Sequence, residues 1–271
     1  MELTARTVWQ NAAFPVHPGP PTASDEGPRG RRAVGVGRLT PPRDALLLPG
    51  GHRGADFIRN GRGGKTTLVL LVRHGQTSTT GVILPGRAPG LHLADRGHEE
   101  AADVATRIAR LPRVAAVYSS PLERAHETAV PIAAAAGLGV TVEPGLLECD
   151  YGEWTGLALK ELRRRPEWKV VQRYPSGFRF PGGESFTEMQ ARVTGTLARL
   201  VAAHPGHTVV AVSHADPIKT AVAHALGTHL DLFQRIAVFT ASVTAIAYGP
   251  EGPTILVVNA TRGDLVPLAG Q

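Results

Sequence analysis

From Thr67 to Asn259, apolar runs of strand length alternate with stretches that repeat at the helical period, and this alternation leaves few folds open. Thr67–Val72 is a continuous apolar run with β-branched members, the pattern of a strand buried on both faces. Asp95–Leu111 follows as a helix, with Ala101, Val104, Ala105 and Ile108 on one face. Val114–Tyr118 reads as a strand, Pro121–Ala136 as a helix with Pro in its first turn and Gly137 after its end, and Val140–Val142 as a short strand. Ser185–Ala203 is a long helix, with Ser185 as N-cap and Glu188 three residues on completing a capping box. Thr208–Ser213 is a strand, Pro217–Leu226 a helix, and Val243–Tyr248 with Thr254–Asn259 a hairpin across Gly249–Pro253. The expected fold is α/β: a three-layer sandwich with a mostly parallel central sheet, helices on both faces and a C-terminal hairpin.

Two segments fall outside this pattern. Residues 1–65 contain eight Pro and eleven Gly, with no lasting amphipathic period, so they read as a disordered tail beside a domain over 66–271. A docking arm for an acidic partner is the other reading of that tail. Residues 150–185 are irregular, with a helix at Ala158–Arg165 stopped by Pro166, and read as a small cap.

Composition removes several classes of function. The net charge is +6, but residues 1–65 hold ten Lys/Arg against five Asp/Glu, so the folded part carries only about +1 and does not read as a nucleic-acid binder. No apolar run approaches the ~18–20 residues of a membrane span, and Leu46–Leu48 is too short for the core of a secretion signal. The one cysteine, Cys149, rules out an intrachain disulfide and fits a cytoplasmic location. Gly64-Lys65-Thr66 looks like the end of a phosphate-binding loop. However, Arg59 stands where that motif needs Gly, and the strand follows the motif instead of preceding it.

Chemistry gathers at strand ends. Leu71-Val72 runs directly into Arg73-His74-Gly75-Gln76-Thr77, and Val210-Ala211-Val212 into Ser213-His214. The strand ending near Tyr118 leads through Ser119-Ser120-Pro121-Leu122-Glu123 to Arg124. Ligands in open α/β sheets bind beyond the carboxyl ends of strands, so two His and two Arg are expected on one sheet edge. Guanidinium forks match phosphate oxygens, and an imidazole can attack phosphorus or donate to its oxygens.

These motifs resemble the histidine phosphatase, or phosphoglycerate mutase-like, superfamily. Arg73-His74-Gly75 is similar to its first motif and Ser119–Ala129 to its second. Glu148, in Leu147-Glu148-Cys149-Asp150-Tyr151-Gly152, is similar to the third, and Ser213-His214 to the fourth. The resemblance runs from about Thr66 to about Val258. It implies a histidine acid phosphatase-type phosphomonoesterase without metal or cofactor, acting on a small organic phosphate through phosphohistidine on His74. Arg73, Arg124 and His214 would bind the transferring phosphoryl group, and Glu148 would act as acid and then base. Gln76, Thr77 and Thr80 would add phosphate contacts, although many members have Asn at the Thr80 position. Many also have Gly after the second His, where this chain has Ala215-Asp216. Asp216 would be unfavourable there unless it turns away or pairs with a cation such as Lys219.

The short Tyr151–Gly156 segment is typical of phosphatases, while the mutase branch has a longer insertion. Mutase-type transfer and a non-catalytic phosphate-binding scaffold remain as alternatives. For the roles that the resemblance implies, physical chemistry adds two expectations. Neighbouring Arg charges should keep His74 neutral, and Glu148 must be protonated to act as an acid, so the activity optimum should be acidic to neutral. Other phosphatase chemistries fail on spacing, because Thr155 and not Arg lies six residues after Cys149, and Val130 replaces the second His of a zinc helix beginning at His126-Glu127. Within 150–185, seven Lys/Arg face five acids, which fits either an anionic substrate or solvated helix faces. Trp154, Phe178 and Phe180 could wall the pocket or belong to the core. Oligomeric state cannot be read from the sequence.

Overall fold

The computed structural model describes residues 65–269; the expectations for 1–64 lie outside the described residues. In chain order the elements are β1 (Thr67–Arg73), α1 (Asp95–Ile108), β2 (Val114–Ser119), α2 (Glu123–Ala135), β3 (Val140–Val142), α3 (Leu159–Leu162), α4 (Glu167–Arg173), α5 (Phe186–Ala203), β4 (Thr208–Ser213), α6 (Ala215–Ala225), β5 (Val243–Gly249) and β6 (Gly252–Ala260). The six strands form one sheet in the order β3-β2-β4-β1-β5-β6. The first four are mutually parallel, β5 runs antiparallel to β1, and β6 closes the hairpin on β5.

The unbroken apolar runs are explained by what covers the sheet. Leu68, Leu70 and Val72 of β1 and Val210 and Val212 of β4 pack with Val104, Ile108, Ala125 and Ile132 of α1 and α2. The alternate residues Val69, Leu71, Val209 and Ala211 pack on the opposite face with Met189, Val193 and Leu197 of α5 and Ile218 and Ala221 of α6. With both faces buried, β1 and β4 are apolar throughout between their end residues. The capping box of α5 is present in full: Glu188 N–H donates to Ser185 Oγ, and Ser185 N–H donates to the Glu188 carboxylate.

Some boundaries move for local reasons. Helix α2 begins at Glu123, not Pro121, because Leu122 is held extended as its N-cap. Helix α6 begins at Ala215, two residues before Pro217. Pro217 falls within the first turn, where a missing N–H costs nothing. Pro166 does not simply end a helix; it is the N-cap of the unanticipated α4. The hairpin turn narrows to Pro250-Glu251, with Gly252 at φ 110°.

Trp154 and Phe180 are core residues, 2% and 1% exposed, and Phe178 packs against them. The seven cap cations, Lys160, Arg163, Arg164, Arg165, Lys169, Arg173 and Arg179, all lie on solvent-exposed positions. Arg165 stacks over Trp154 at 5.6 Å, and Arg179 pairs with Glu188. The cap charge is therefore spread over solvated faces. No helix among the described residues is long and apolar enough to cross a membrane.

Candidate active site

Parallel pairing brings three strand ends to one edge. Arg73 of β1 stands opposite Ser213 of β4, and Ser119 of β2 opposite Val212. The next residues are therefore neighbours: His74 N–H donates to Ser213 O at 3.0 Å, and Ser120 N–H to Val212 O at 2.9 Å. The rings of His74 and His214 lie 5.2 Å apart, centroid to centroid, and both are buried. Arg124, on the first turn of α2, is fully buried, and its Nη2 donates to Gly86 O at 2.8 Å. Arg73 Nη1 donates to Val238 O at 2.8 Å.

The hydrogen bond of His74 fixes its tautomer. His74 Nδ1 lies 2.7 Å from Gly75 O, which can only accept, so Nδ1 carries the proton and Nε2 keeps its lone pair. His214 Nε2 lies 2.8 Å from Ser120 Oγ. That hydroxyl also accepts Leu122 N–H at 3.4 Å; with its own proton turned to His214 Nε2, His214 Nδ1 is the donor. Burial, then Arg73 and Arg124, hold His74 well below the ordinary histidine range. Burial, then Arg124, does the same for His214. Both rings are thus neutral, as expected for His74.

Arg73 Nε, Arg124 Nε and Nη1, and His214 Nδ1 are buried and have no hydrogen-bond partner among the described residues. Burying such donors unpaired is costly, more so when they are charged. Burial also pulls the Arg73 and Arg124 guanidinium groups below the ordinary arginine range, which Glu148 partly offsets. A cluster of cationic and neutral donors left unpaired in this way suits a multivalent oxyanion.

Glu148 is 7% exposed, and its Oε1 accepts Cys149 N–H at 2.9 Å. Burial, then the nearby Asp216 charge, push its carboxyl up to about 7. Asp216 itself accepts from Tyr151 Oη at 2.9 Å and Lys219 Nζ at 3.0 Å, so it takes the cation partner the sequence offered. Burial also pushes the Cys149 thiol up, away from the thiolate form a nucleophile needs.

The remaining candidates are placed differently. Gln76 is exposed, and its backbone N–H donates to Glu100. The hydroxyls of Thr77 and Thr80 lie 3.0 Å apart, and Thr80 Oγ1 also accepts Thr77 N–H, so these groups brace the loop. Four contributors were not singled out from the sequence. They are the Ser120 hydroxyl; Thr128, which links Gly75 N–H to Arg124 O; and Arg87 and Arg192, which both reach Glu148 O. Ser120 alone could have been suspected, because it follows a strand end as His74 and His214 do.

The His74 loop is also held by close backbone packing. A Cβ on Gly97 would lie 2.1 Å from Gln76 O, and one on Gly75 would lie 2.5 Å from Gly97 O. Gly97→Ala should therefore displace the His74 loop. It should cost about 1–3 kcal/mol of stability by overpacking and lower turnover up to about 10²-fold through misplacement of His74. Gly195→Ala is the control, since an added Cβ there meets nothing within 4 Å among the described residues. It should stabilise by about 0.5–1 kcal/mol without changing rate. Thermal melts beside steady-state rates check both.

Comparison with known proteins places the chain in a family. The family model of the histidine phosphatase superfamily (branch 1) matches residues 69–261. The chain belongs to that superfamily. A bifunctional protein of Mycobacterium tuberculosis is 36% identical over 205 residues, 74% of this chain and 56% of that protein, so the chain spans little more than half of this relative. Phosphoserine phosphatase 1 of Hydrogenobacter thermophilus is 33% identical over 206 residues, 71% of this chain and 92% of the relative. Among solved structures, a mycobacterial glucosyl-3-phosphoglycerate phosphatase aligns with TM-score 0.65 at 26% identity, covering 72% of this chain and all of that one. A phosphoserine phosphatase from Entamoeba histolytica in complex with 3-phosphoglyceric acid aligns with TM-score 0.65 at 27% identity, covering 72% and 98%.

Proposed function

We propose that this chain is a metal-independent phosphomonoester hydrolase that acts through a phosphohistidine on His74. The observation that carries this is the set of buried, unpaired donors on Arg73, Arg124 and His214 beside an imidazole whose free nitrogen is Nε2. The phosphate of a small organic ester binds these donors. His74 Nε2 attacks phosphorus, the N–P bond forms, and the bond to the ester oxygen breaks with its electron pair on that oxygen. Glu148 delivers its proton there, and the alcohol leaves. Water then attacks the phosphorus, its proton passes to the Glu148 carboxylate, and the N–P bond breaks with its electrons returning to Nε2. Inorganic phosphate departs and the starting state is restored.

The two guanidinium groups supply the positive charge that the developing equatorial oxygens require. Among the described residues, no three His, Cys, Asp or Glu side chains are grouped to hold a metal ion. The phosphoserine and glucosyl-3-phosphoglycerate phosphatases among the relatives support a small phosphorylated metabolite as substrate.

The test is turnover of 4-nitrophenyl phosphate in excess chelator, with rapid acid-free quenching to trap phosphoenzyme. Turnover that survives the chelator, with phosphate mapped to His74 in an acid-labile, base-stable linkage, is expected. Turnover that vanishes with chelator, or phosphate on another residue, would overturn the mechanism.

A further inference from the structure

A proton donor must be neutral before it acts, so no ion pair can hold its side chain in place. Its position then depends on how firmly its backbone is fixed. Around Glu148 that fixing is done by charge. Arg192 Nη1 donates to Gly145 O and Leu147 O, both at 2.9 Å, and Nη2 reaches Glu148 O at 3.4 Å. Arg87 Nε donates to the same Glu148 O at 2.8 Å. Glu184 binds both cations: its carboxylate accepts Arg192 Nε and Nη2 at 2.8 Å each and Arg87 Nη2 at 3.1 Å. Asp150 lies 3.5 Å from Arg87 Nη1, and its own N–H donates to Glu184 at 3.3 Å. Two cations and two carboxylates balance, so the group clamps the loop without placing net charge beside Glu148.

The preceding residue ties the clamp to the phosphate site. Gly86 O accepts Arg124 Nη2, while the Arg87 side chain accounts for Glu148 O. Two adjacent residues thus link a phosphate-binding arginine to the carbonyl of the proton donor. Gly86 has φ 52°, and a Cβ there would lie 2.7 Å from Thr155 Oγ1, so this crossing is made in a conformation glycine favours.

Building on the proposed hydrolase mechanism, we propose that Arg87, Glu184 and Arg192 are positioning residues that set the reach of Glu148 to the leaving oxygen. They touch neither phosphate nor leaving group; they act through the Glu148 backbone. A purely structural clamp would, if weakened, lower stability and slow every substrate alike. A clamp on the proton donor slows only those esters whose leaving oxygen needs a proton.

The experiment compares Arg87→Ala, Glu184→Gln and Arg192→Lys with wild type and His74→Ala, all in the full chain. Rates are read as kcat/KM, which reports the step that forms phosphohistidine. The substrates are glycerol phosphate, whose alkoxide must be protonated, and 4-nitrophenyl phosphate, whose phenolate leaves unaided. The Ki for inorganic phosphate reads the anion site. In the variants kcat/KM for glycerol phosphate should fall at least about tenfold, part of the ~10²–10⁴ that a placed proton donor supplies. The 4-nitrophenyl rate and the phosphate Ki should stay within about threefold, below the cost of a displaced reacting group. Equal losses on both substrates, no loss on either, or a phosphate Ki that weakens in step would each overturn the proposal. Should Arg192→Lys fail to fold, Arg87→Ala decides, because the Arg87 side chain is 29% exposed and not part of the core. Failure of the hydrolase mechanism would show separately, as wild-type activity that His74→Ala retains.

Discussion

Replacing His74 with Ala should lower phosphoester hydrolysis by on the order of 10⁵–10⁶-fold, the scale of losing a covalent nucleophile. The size follows from the division of labour in the pocket. His74 Nδ1 is committed to Gly75 O, so only Nε2 can bond to phosphorus. The neighbouring His214 has its Nε2 held by Ser120. Phosphate binding should survive, because Arg73, Arg124 and His214 supply the donors. A phosphate-dependent rise in the melting temperature of the variant should therefore match that of wild type, since a ligand stabilises only by binding the folded state. Losing one positive neighbour is not at issue, because His74 is neutral in the native pocket. If the variant keeps more than about 1% of wild-type turnover, far above the expected residual rate, then water attacks phosphorus directly and the covalent route is wrong.

What the sequence made legible was whatever depends on neighbours along the chain. β3 and β4 begin and end where expected, and β1 and β2 each run one residue past the expected end, because apolar character changes abruptly at their termini. His74 and His214 could be found because each follows such a strand, and parallel register then places them together. Glu148 could not be found by pattern; only the family resemblance pointed to it, since it lies in a loop with no period. The contacts that fix it span 61 residues from Arg87 and 44 from Arg192, and Arg87 meets Glu184 across 97. Such pairings are set by tertiary packing, not by local spacing. α4 escapes a reading of the sequence because Pro166 signals a helix stop and a helix start equally well, and only burial of Val171 decides between them.

Glu148→Gln should lower kcat/KM for alkyl phosphates by about 10²–10⁴-fold and remove the alkaline limb of the pH profile. In the proposed mechanism the competent enzyme has His74 neutral and Glu148 protonated. Burial and the two arginines keep His74 neutral to well below its ordinary range, while burial and Asp216 keep Glu148 protonated up to about 7. The profile for wild type should thus be bell-shaped. It falls on the acid side as His74 takes a proton, and on the alkaline side as Glu148 loses one near pH 7. Glutamine cannot ionise, so the variant keeps the acid limb and runs flat above it. The stability effect has a definite sign. A carboxyl raised from 4.5 to about 7 by the fold opposes its own ionisation, so its contribution is intact below pH 4.5 and is lost as pH rises toward 7. Glu148→Gln should accordingly melt higher than wild type above pH 7 by a few kcal/mol in free energy, with no such gain at pH 4. The amide oxygen of the substituted side chain can still accept Cys149 N–H, so the loop anchor is kept. A surviving alkaline limb in the variant would assign that limb to another group, and Glu148 would lose its place as proton donor.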